Sequence, residues 1–106
     1  MSIPLIRRKI SVTEYHKMIE VGILHEDERL ELIQGEIVHM SPKGSQHAAC
    51  ISRLLDELEG YQKQAIIRFQ DPITLLDHSE PEPDVAIVHR KTDYYGSGHP
   101  RPEEIY

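Results

Sequence analysis

The chain has 106 residues, of which 39% are hydrophobic and 28% charged, a balance that fits one folded domain and argues against disorder throughout. No apolar run approaches the roughly 18 residues of a membrane helix. The N-terminus lacks the charge and apolar pattern of a secretory signal, and Cys50 is the only cysteine, so we expect a soluble, cytoplasmic protein. The net charge of −6 argues against binding nucleic acid through overall charge, although an acidic, metal-loaded site could still meet DNA locally.

The beginning of the chain predicts an extended arm followed by a short helix. Residues 1–10 are predicted to form the arm, and residues 11–106 are predicted to form the core of a single domain. Ser11 and Glu14 have the spacing of a capping box, and apolar residues then recur at helical spacing until a glycine. This pattern predicts a helix over residues 12–21.

A β-hairpin is predicted over residues 29–40. Its turn lies at Gly35, because glycine readily adopts the positive φ of a tight hairpin turn. Counting outward from this turn places Glu31 opposite Val38, with Glu36 on the same face of the hairpin.

The clearest helical periodicity covers residues 46–59. Ser45 predicts the N-cap of this helix and Gly60 its end. Its apolar stripe consists of His47, Ile51, Leu54, Leu55 and Leu58. Cys50 borders the stripe, and we expect it to be a small packed side chain.

Apolar, β-rich runs predict two further strands. The first covers residues 65–70 and continues past a proline into 73–76, and the second covers 84–88. Residues 90–102 predict a loop, and 103–106 the start of another strand. The fold class is therefore α/β (α+β), a layer domain of mixed elements.

Asp84 is the strongest candidate for chemistry, because it lies at the mouth of an apolar strand directly after a proline. Proline stiffens the backbone that leads to the carboxylate. A carboxylate fixed at a strand end suits a hard cation such as Mg²⁺, which prefers oxygen ligands. An acidic turn that merely leads into a strand would have the same pattern, and spacing alone does not separate the two.

Three other residues are weaker candidates. Glu31 and Glu36 could face a site, although surface glutamates on hairpins are common. His47 lies near the start of its helix and is expected to face the Asp84 strand, where it could orient a phosphate or water or transfer a proton. A half-buried structural histidine would show the same pattern. The remaining histidines lack zinc-site spacing, and the chain has no P-loop, dinucleotide fingerprint or nucleophile elbow.

Several of these segments together resemble the Uma-two family, a family of restriction-endonuclease type within the PD-(D/E)XK nuclease superfamily. The similar segments are Thr13-Glu14-Tyr15, residues 29–37, Met40-Ser41-Pro42, His47 and residues 82–86. They occur in order through nearly the whole chain, and the blocks Glu-Leu-Ile-x-Gly-Glu and Glu-Pro-Asp-Val are specific in combination.

The resemblance implies a restriction-endonuclease-like mixed sheet flanked by helices and the Mg²⁺-dependent hydrolysis of DNA phosphodiesters. It implies that Asp84 is a metal-binding catalytic aspartate, that Glu31 is an added acidic metal ligand, and that His47 is a catalytic candidate. Mg²⁺ is the implied cofactor and DNA the implied partner.

The superfamily's third core strand supplies a further acidic residue and a lysine, and the sequence ends at Tyr106 before such a strand. We therefore expect an incomplete domain, inactive as a nuclease on its own, with exposed apolar surface that favours a homodimer. Two other hypotheses remain open: a non-catalytic interaction or dimerisation module that keeps the fold, and a metal-dependent hydrolase of another substrate.

Overall fold

The computed structural model describes residues 3–106, which form two helices and two small antiparallel sheets. Helix α1 covers Val12–Glu20 and helix α2 covers Ser45–Leu58. The strands are β1 (Leu30–Ile33), β2 (Glu36–His39), β3 (Ala65–Phe69) and β4 (Val85–His89). Strand β1 pairs with β2, and β3 pairs with β4. The predicted α+β class is confirmed, and both ladders of the described residues are antiparallel.

Helix α1 begins at the predicted capping box. The Ser11 hydroxyl accepts a hydrogen bond from the Glu14 N–H at 3.1 Å, and the Glu14 carboxylate accepts one from the Ser11 N–H at 3.0 Å. Before the helix, residues 3–10 have no regular structure, which agrees with the predicted arm over that range. Residues 1 and 2 of the predicted arm lie outside the described residues.

The hairpin has the predicted register, with Glu31 opposite Val38. Gly35 has a φ of +81°, and a Cβ added there would lie 2.6 Å from the Cβ of Lys9. The arm approaches this closely because the N–H of Ile10 donates to the carbonyl of Gly35 at 2.9 Å. Gly35 therefore serves both the turn and the contact between turn and arm.

Helix α2 differs from its prediction at both ends. Gly44 is the N-cap and no side chain caps the helix, so the prediction that Ser45 caps it is wrong: Ser45 is its first residue. Gly60 does not end the helical path, because a 3₁₀ turn covers Glu59–Tyr61. The predicted packing of Cys50 is also wrong, since Cys50 is exposed. Helix α2 buries one residue, Ile51, within its length.

The predicted continuation of the third strand over 73–76 does not form. One isolated bridge joins Leu75 to Ser79. Gln70 and Leu76 have positive φ values of 53° and 50°, and these break the extended conformation on both sides of the segment. The strand predicted over 84–88 is shifted by one residue, so that Asp84 stands just before β4 rather than inside it.

Residues 77–82 connect the two sheets. The N–H of Glu80 donates to the carbonyl of Leu32 at 2.7 Å, and the N–H of Leu32 returns a bond of 3.4 Å. The N–H of Ile73 donates to the carbonyl of Pro81 at 3.0 Å. The backbone that leads to Asp84 is therefore held by β1 and by Ile73, in the loop after β3.

The end of the chain forms a short contact with β4. After a 3₁₀ turn at Pro102–Glu104, Ile105 bridges Val88 in antiparallel fashion, and the N–H of Tyr106 donates to the carbonyl of Ile87 at 3.0 Å. The strand predicted to start over 103–106 does not form, because residues 103 and 104 lie in the 3₁₀ turn and Ile105 makes one isolated bridge.

The core lies on one face of the β3–β4 sheet, where Ala86, Val88 and Tyr95 are buried. The other face is less covered, and several large apolar side chains near it are exposed: Leu54, Tyr61, Phe69 and Tyr106. Between residues 3 and 106, no helix is long and apolar enough to cross a membrane.

Candidate active site

Asp84 and His47 form a hydrogen-bonded pair between β4 and α2. Asp84 directly precedes β4, and its carbonyl accepts from the N–H of Gln70 at 3.1 Å, which extends the ladder by one step. His47 lies in the first turn of α2, and its Nε2 donates to Oδ2 of Asp84 at 2.8 Å. The two side chains are 51% and 45% exposed, so ions and water can reach them.

Glu31 reaches the same region from the hairpin. Its Oε2 accepts a hydrogen bond from the backbone N–H of Glu82 at 3.0 Å. Burial raises the pKa of Glu82, an effect opposed by the charge of Arg29 and reinforced by the carboxylates of Glu31 and Asp71. Negative charge is therefore concentrated just before Asp84.

A cleft of about 490 Å³ brings these groups together. The residues that line it are Arg29, Glu31, His39, Met40, Ser41, Pro42, Lys43, Gly44, His47, Gln70, Glu82 and Asp84. All three residues that the resemblance implies for the site, Glu31, His47 and Asp84, therefore line one cleft. They come from three elements that lie far apart in the sequence.

Glu36, the third acidic candidate, does not line this cleft. Its Oε1 accepts from Nη1 of Arg7 at 2.7 Å, in an exposed pair between the hairpin turn and the arm. Such a surface ion pair contributes about 0–1 kcal/mol to stability. The structure thus separates the two glutamates of the hairpin, although they share one of its faces.

The carboxylates suit a hard cation by their chemistry. Asp84 and Glu31 offer oxygen ligands, which Mg²⁺ prefers, and their cleft is open to the waters that Mg²⁺ usually keeps. Each carboxylate already has one partner, since His47 contacts Asp84 and Glu82 contacts Glu31. Within residues 3–106, no three His, Cys, Asp or Glu side chains are arranged to hold a metal ion together.

Two cations line the cleft beside the acids. Arg29 directly precedes β1, and its carbonyl accepts from the N–H of Met40 at 2.9 Å. Lys43 lies in the loop that leads to α2, and its Nζ is 4.8 Å from the ring centre of Phe69. This distance is typical of a cation–π contact, which favours one orientation of the lysine.

Gln70 is a cleft residue that the sequence did not indicate. Its backbone has a φ of 53°, in the left-handed region that non-glycine residues rarely adopt. Its side-chain Nε2 is buried and has no hydrogen-bond partner within the described structure. Strained backbone and unpaired polar atoms are both frequent at functional sites. The only signal in the sequence is the position of Gln70 at the end of a predicted strand.

A second histidine–carboxylate pair lines another open cleft, of about 500 Å³, which Glu82 also borders. Glu80 is only 3% exposed, and the Nε2 of His16 is 2.7 Å from its Oε1 and 2.8 Å from its Oε2. The Thr74 hydroxyl donates to Oε2 of Glu80 at 2.9 Å. This network fixes α1 to the segment before Asp84. Residues 16 and 80 are too far apart in the sequence for any spacing to predict their contact.

The groups around this pair are perturbed by burial. Burial, followed by the charge of Glu80, raises the pKa of Tyr15 to about 12. Burial also lowers the pKa of His99 below its ordinary value of 6.5; the charge of Glu80 opposes this effect, and the charges of Arg68 and His16 reinforce it. In the second pair, therefore, only the Glu80 carboxylate is buried, whereas His16 is 49% exposed.

Residues 12–105 match the model of one protein family, Uma2, which is described as "Putative restriction endonuclease". This is the Uma-two family that the motifs of the sequence indicate. No match was found among curated proteins or among solved structures. The matched range contains every residue of the cleft and both histidine–carboxylate pairs.

Proposed function

The chain belongs to the Uma2 family, of restriction-endonuclease type, and from this premise we propose that its Asp84 cleft binds Mg²⁺ and the phosphodiester backbone of DNA. The observation that carries the proposal is the convergence of Asp84, Glu31 and His47 on one open cleft. Carboxylates can hold the cation of metal-assisted phosphodiester hydrolysis, and a neighbouring imidazole can orient water or transfer a proton.

Asp84 and Glu31 are the residues that would hold the cation. When bound, Mg²⁺ polarises a phosphate oxygen and lowers the pKa of a coordinated water. Glu31 keeps its hydrogen bond from the Glu82 N–H through one oxygen, which leaves the other oxygen free to bind. The backbone before Asp84 is held by β1 and by Ile73, so its carboxylate is positioned before any ligand arrives.

His47 has two tasks in this proposal. In the free protein it donates to Asp84 and so orients the carboxylate across the cleft. When substrate is present, its imidazole is close enough to the site to orient a water or a phosphate oxygen or to exchange a proton. Its position in the first turn of α2 keeps it at the cleft, because the helix fixes its backbone.

We further propose that the 106-residue polypeptide binds its ligands without cleaving DNA. Two carboxylates are the only acidic ligands that we assign to the cation, and the described residues supply no third donor arranged with them. A cation held by two carboxylates alone would bind weakly and would position water too loosely for turnover. This proposal concerns the 106 residues alone and does not extend to a longer polypeptide.

Calorimetric titration of Mg²⁺ tests the proposal. We expect the wild-type chain to bind Mg²⁺, Asp84→Asn to lose most of this binding, and Asp56→Asn to bind normally, because Asp56 lies on α2 away from the cleft. Equal binding by wild type and Asp84→Asn would refute the assignment of the site. A plasmid-nicking assay with Mg²⁺ tests whether the chain is inactive. Nicking by the wild type that is lost in Asp84→Asn would overturn the proposed inactivity and leave the assignment of the site intact.

A second candidate function is a dimerisation module that keeps the nuclease-like fold. The observation that favours it is an open groove of about 440 Å³ with mostly apolar walls, formed by Leu58, Tyr61, Gln64, Ala65, Ile67, Ile87 and Tyr106. An exposed groove of this kind is suited to a second copy of the chain. Sedimentation velocity distinguishes the two functions: Ile87→Lys should abolish a dimer, whereas Asp84→Asn should leave it intact.

A further inference from the structure

The cleft holds negative charge, yet two permanent cations also line it. Arg29 and Lys43 are its only lysine or arginine residues within the described chain. Neither forms a salt bridge with any residue of 3–106. Both cations therefore remain available to a ligand, although the charge of Arg29 acts on nearby Glu82.

Both cations are placed by the open end of the β1–β2 hairpin. Arg29 stands before β1 and is joined to Met40, after β2, by a backbone hydrogen bond of 2.9 Å. Lys43 follows Met40 by three residues. The open end of the hairpin therefore brings both side chains to the cleft. Glu31, which also lines the cleft, lies further along β1 towards the hairpin turn.

The orientation of Lys43 is fixed before any ligand binds. Lys43 is half-buried, whereas its neighbours Pro42 and Gly44 are exposed. Its ammonium lies over the ring of Phe69, which is itself 45% exposed. A lysine that packs against an aromatic ring has less rotamer freedom to lose when it binds. A purely solvated surface lysine would have no such contact.

We propose that Arg29 and Lys43 bind the DNA phosphates that flank the phosphate held at Asp84. This inference rests on the proposed function, which places one phosphodiester in the cleft. A chain of net charge −6 repels a polyanion, so the neighbouring phosphates require local cations. Arg29 and Lys43 are the cations that the cleft supplies, and phosphate contacts position DNA without reading its sequence.

The salt dependence of DNA binding tests the inference. Fluorescence anisotropy of a labelled DNA duplex, with Mg²⁺ present and salt varied, gives the slope of log K against log[salt]. Each phosphate contact contributes about 0.9 to this slope. We expect Lys43→Gln and Arg29→Gln each to reduce the slope by about that amount. Lys43→Arg should keep it.

The matched control is Lys63→Gln, because Lys63 is exposed and does not line the cleft. Its slope should equal that of the wild type. Unchanged slopes for Lys43→Gln and Arg29→Gln would overturn the inference while leaving the proposed function intact. An equal fall for Lys63→Gln would also overturn it, since the effect would then reflect net charge alone.

Two further results keep the inference separate from the proposed function. Failure of the wild-type chain to bind DNA at any salt concentration overturns both. Lys43→Gln should still bind Mg²⁺, because Lys43 is not one of the residues assigned to the cation. Its thermal midpoint should fall by no more than about 6 °C, which the loss of its cation–π contact with Phe69 explains. A larger fall would assign Lys43 a structural role and count against the inference.

Discussion

Two histidine–carboxylate pairs in this chain have nearly the same hydrogen-bond length and different surroundings. His47 meets Asp84 at 2.8 Å, with both side chains about half exposed. His16 meets Glu80 at 2.7 Å, and although His16 is 49% exposed, Glu80 is only 3% exposed. A buried carboxylate must keep its partners, whereas an exposed one can exchange them for water or a cation. The difference in burial between the two carboxylates therefore assigns Asp84 to ligand binding and Glu80 to the fold.

Removal of the buried carboxylate should have the largest effect. We expect Glu80→Ala to lower the free energy of unfolding by about 3 kcal/mol, because it breaks a buried network and leaves Thr74 without its acceptor. The matched variant Asp84→Ala should change it by no more than about 0.5 kcal/mol. Urea denaturation measures both. Equal losses in the two variants would remove the distinction between the pairs.

Ligand binding should show the opposite order. Asp84→Ala should weaken Mg²⁺ binding by at least about tenfold, since the loss of an outer-shell partner alone costs that much at metal sites. Glu80→Gln, which keeps the size of the buried side chain, should bind Mg²⁺ within about threefold of the wild type. Calorimetry provides the constants. A stronger effect at Glu80 than at Asp84 would place the cation beside Glu80 and contradict the assignment to Asp84.

The two histidines offer a smaller version of the same test. His16→Ala should cost about 1 kcal/mol of stability, because Glu80 then keeps Thr74 as its remaining side-chain donor. His47→Ala should cost less than about 0.5 kcal/mol, since water replaces it at an exposed carboxylate. Thermal and urea unfolding should agree on this order, and a reversal would contradict the assignment of His16 to the fold.

The smallest expected effect is a pH dependence that arises beside the buried pair. Burial lowers the pKa of His99 below its ordinary value of 6.5, so the unfolded chain takes up the proton first. The stability that this residue contributes is present above pH 6.5 and is lost as pH falls from 6.5 through the lower folded value. Glu80, Arg68, His16 and Asp71 are the charged and titratable groups that act on it.

His99→Gln should therefore flatten the loss of stability between about pH 7 and about pH 5, relative to the wild type. The control is His78→Gln, because His78 is exposed. The urea midpoint followed across this pH range gives the comparison. Identical pH profiles for wild type and His99→Gln would show that burial of this imidazole does not matter to folding.

Local patterns predicted the parts of the fold that short-range chemistry decides. The capping box of Ser11 and Glu14 and the register that sets Glu31 against Val38 both formed as predicted. The motif residues also met: His47 and Asp84, 37 positions apart, are hydrogen-bonded. The position of His47 one turn before Ile51 predicted that it faces the Asp84 strand, and Ile51 is the buried residue of α2, although Leu54 on the same stripe is 45% exposed.

The failures occurred where a competing backbone conformation or a long-range contact decided the outcome. Gly44, with an extended backbone and no capping side chain, is the N-cap of α2, and Ser45 is the first residue of the helix. The strand expected after Pro72 was prevented by the positive φ of Gln70 and Leu76. The His16–Glu80 pair depends on how α1 packs against the connection between the two sheets, and no local pattern encodes that packing.

The most direct test of the assignment follows the imidazole nitrogens of His47 and His16 by NMR while Mg²⁺ is added. We predict that the His47 resonances shift as Asp84 exchanges its hydrogen bond for the cation, while those of His16 stay fixed. Shifts centred on His16, or none at His47 at saturating Mg²⁺, would contradict the claim that the exposed pair binds the ligand and the buried pair supports the fold.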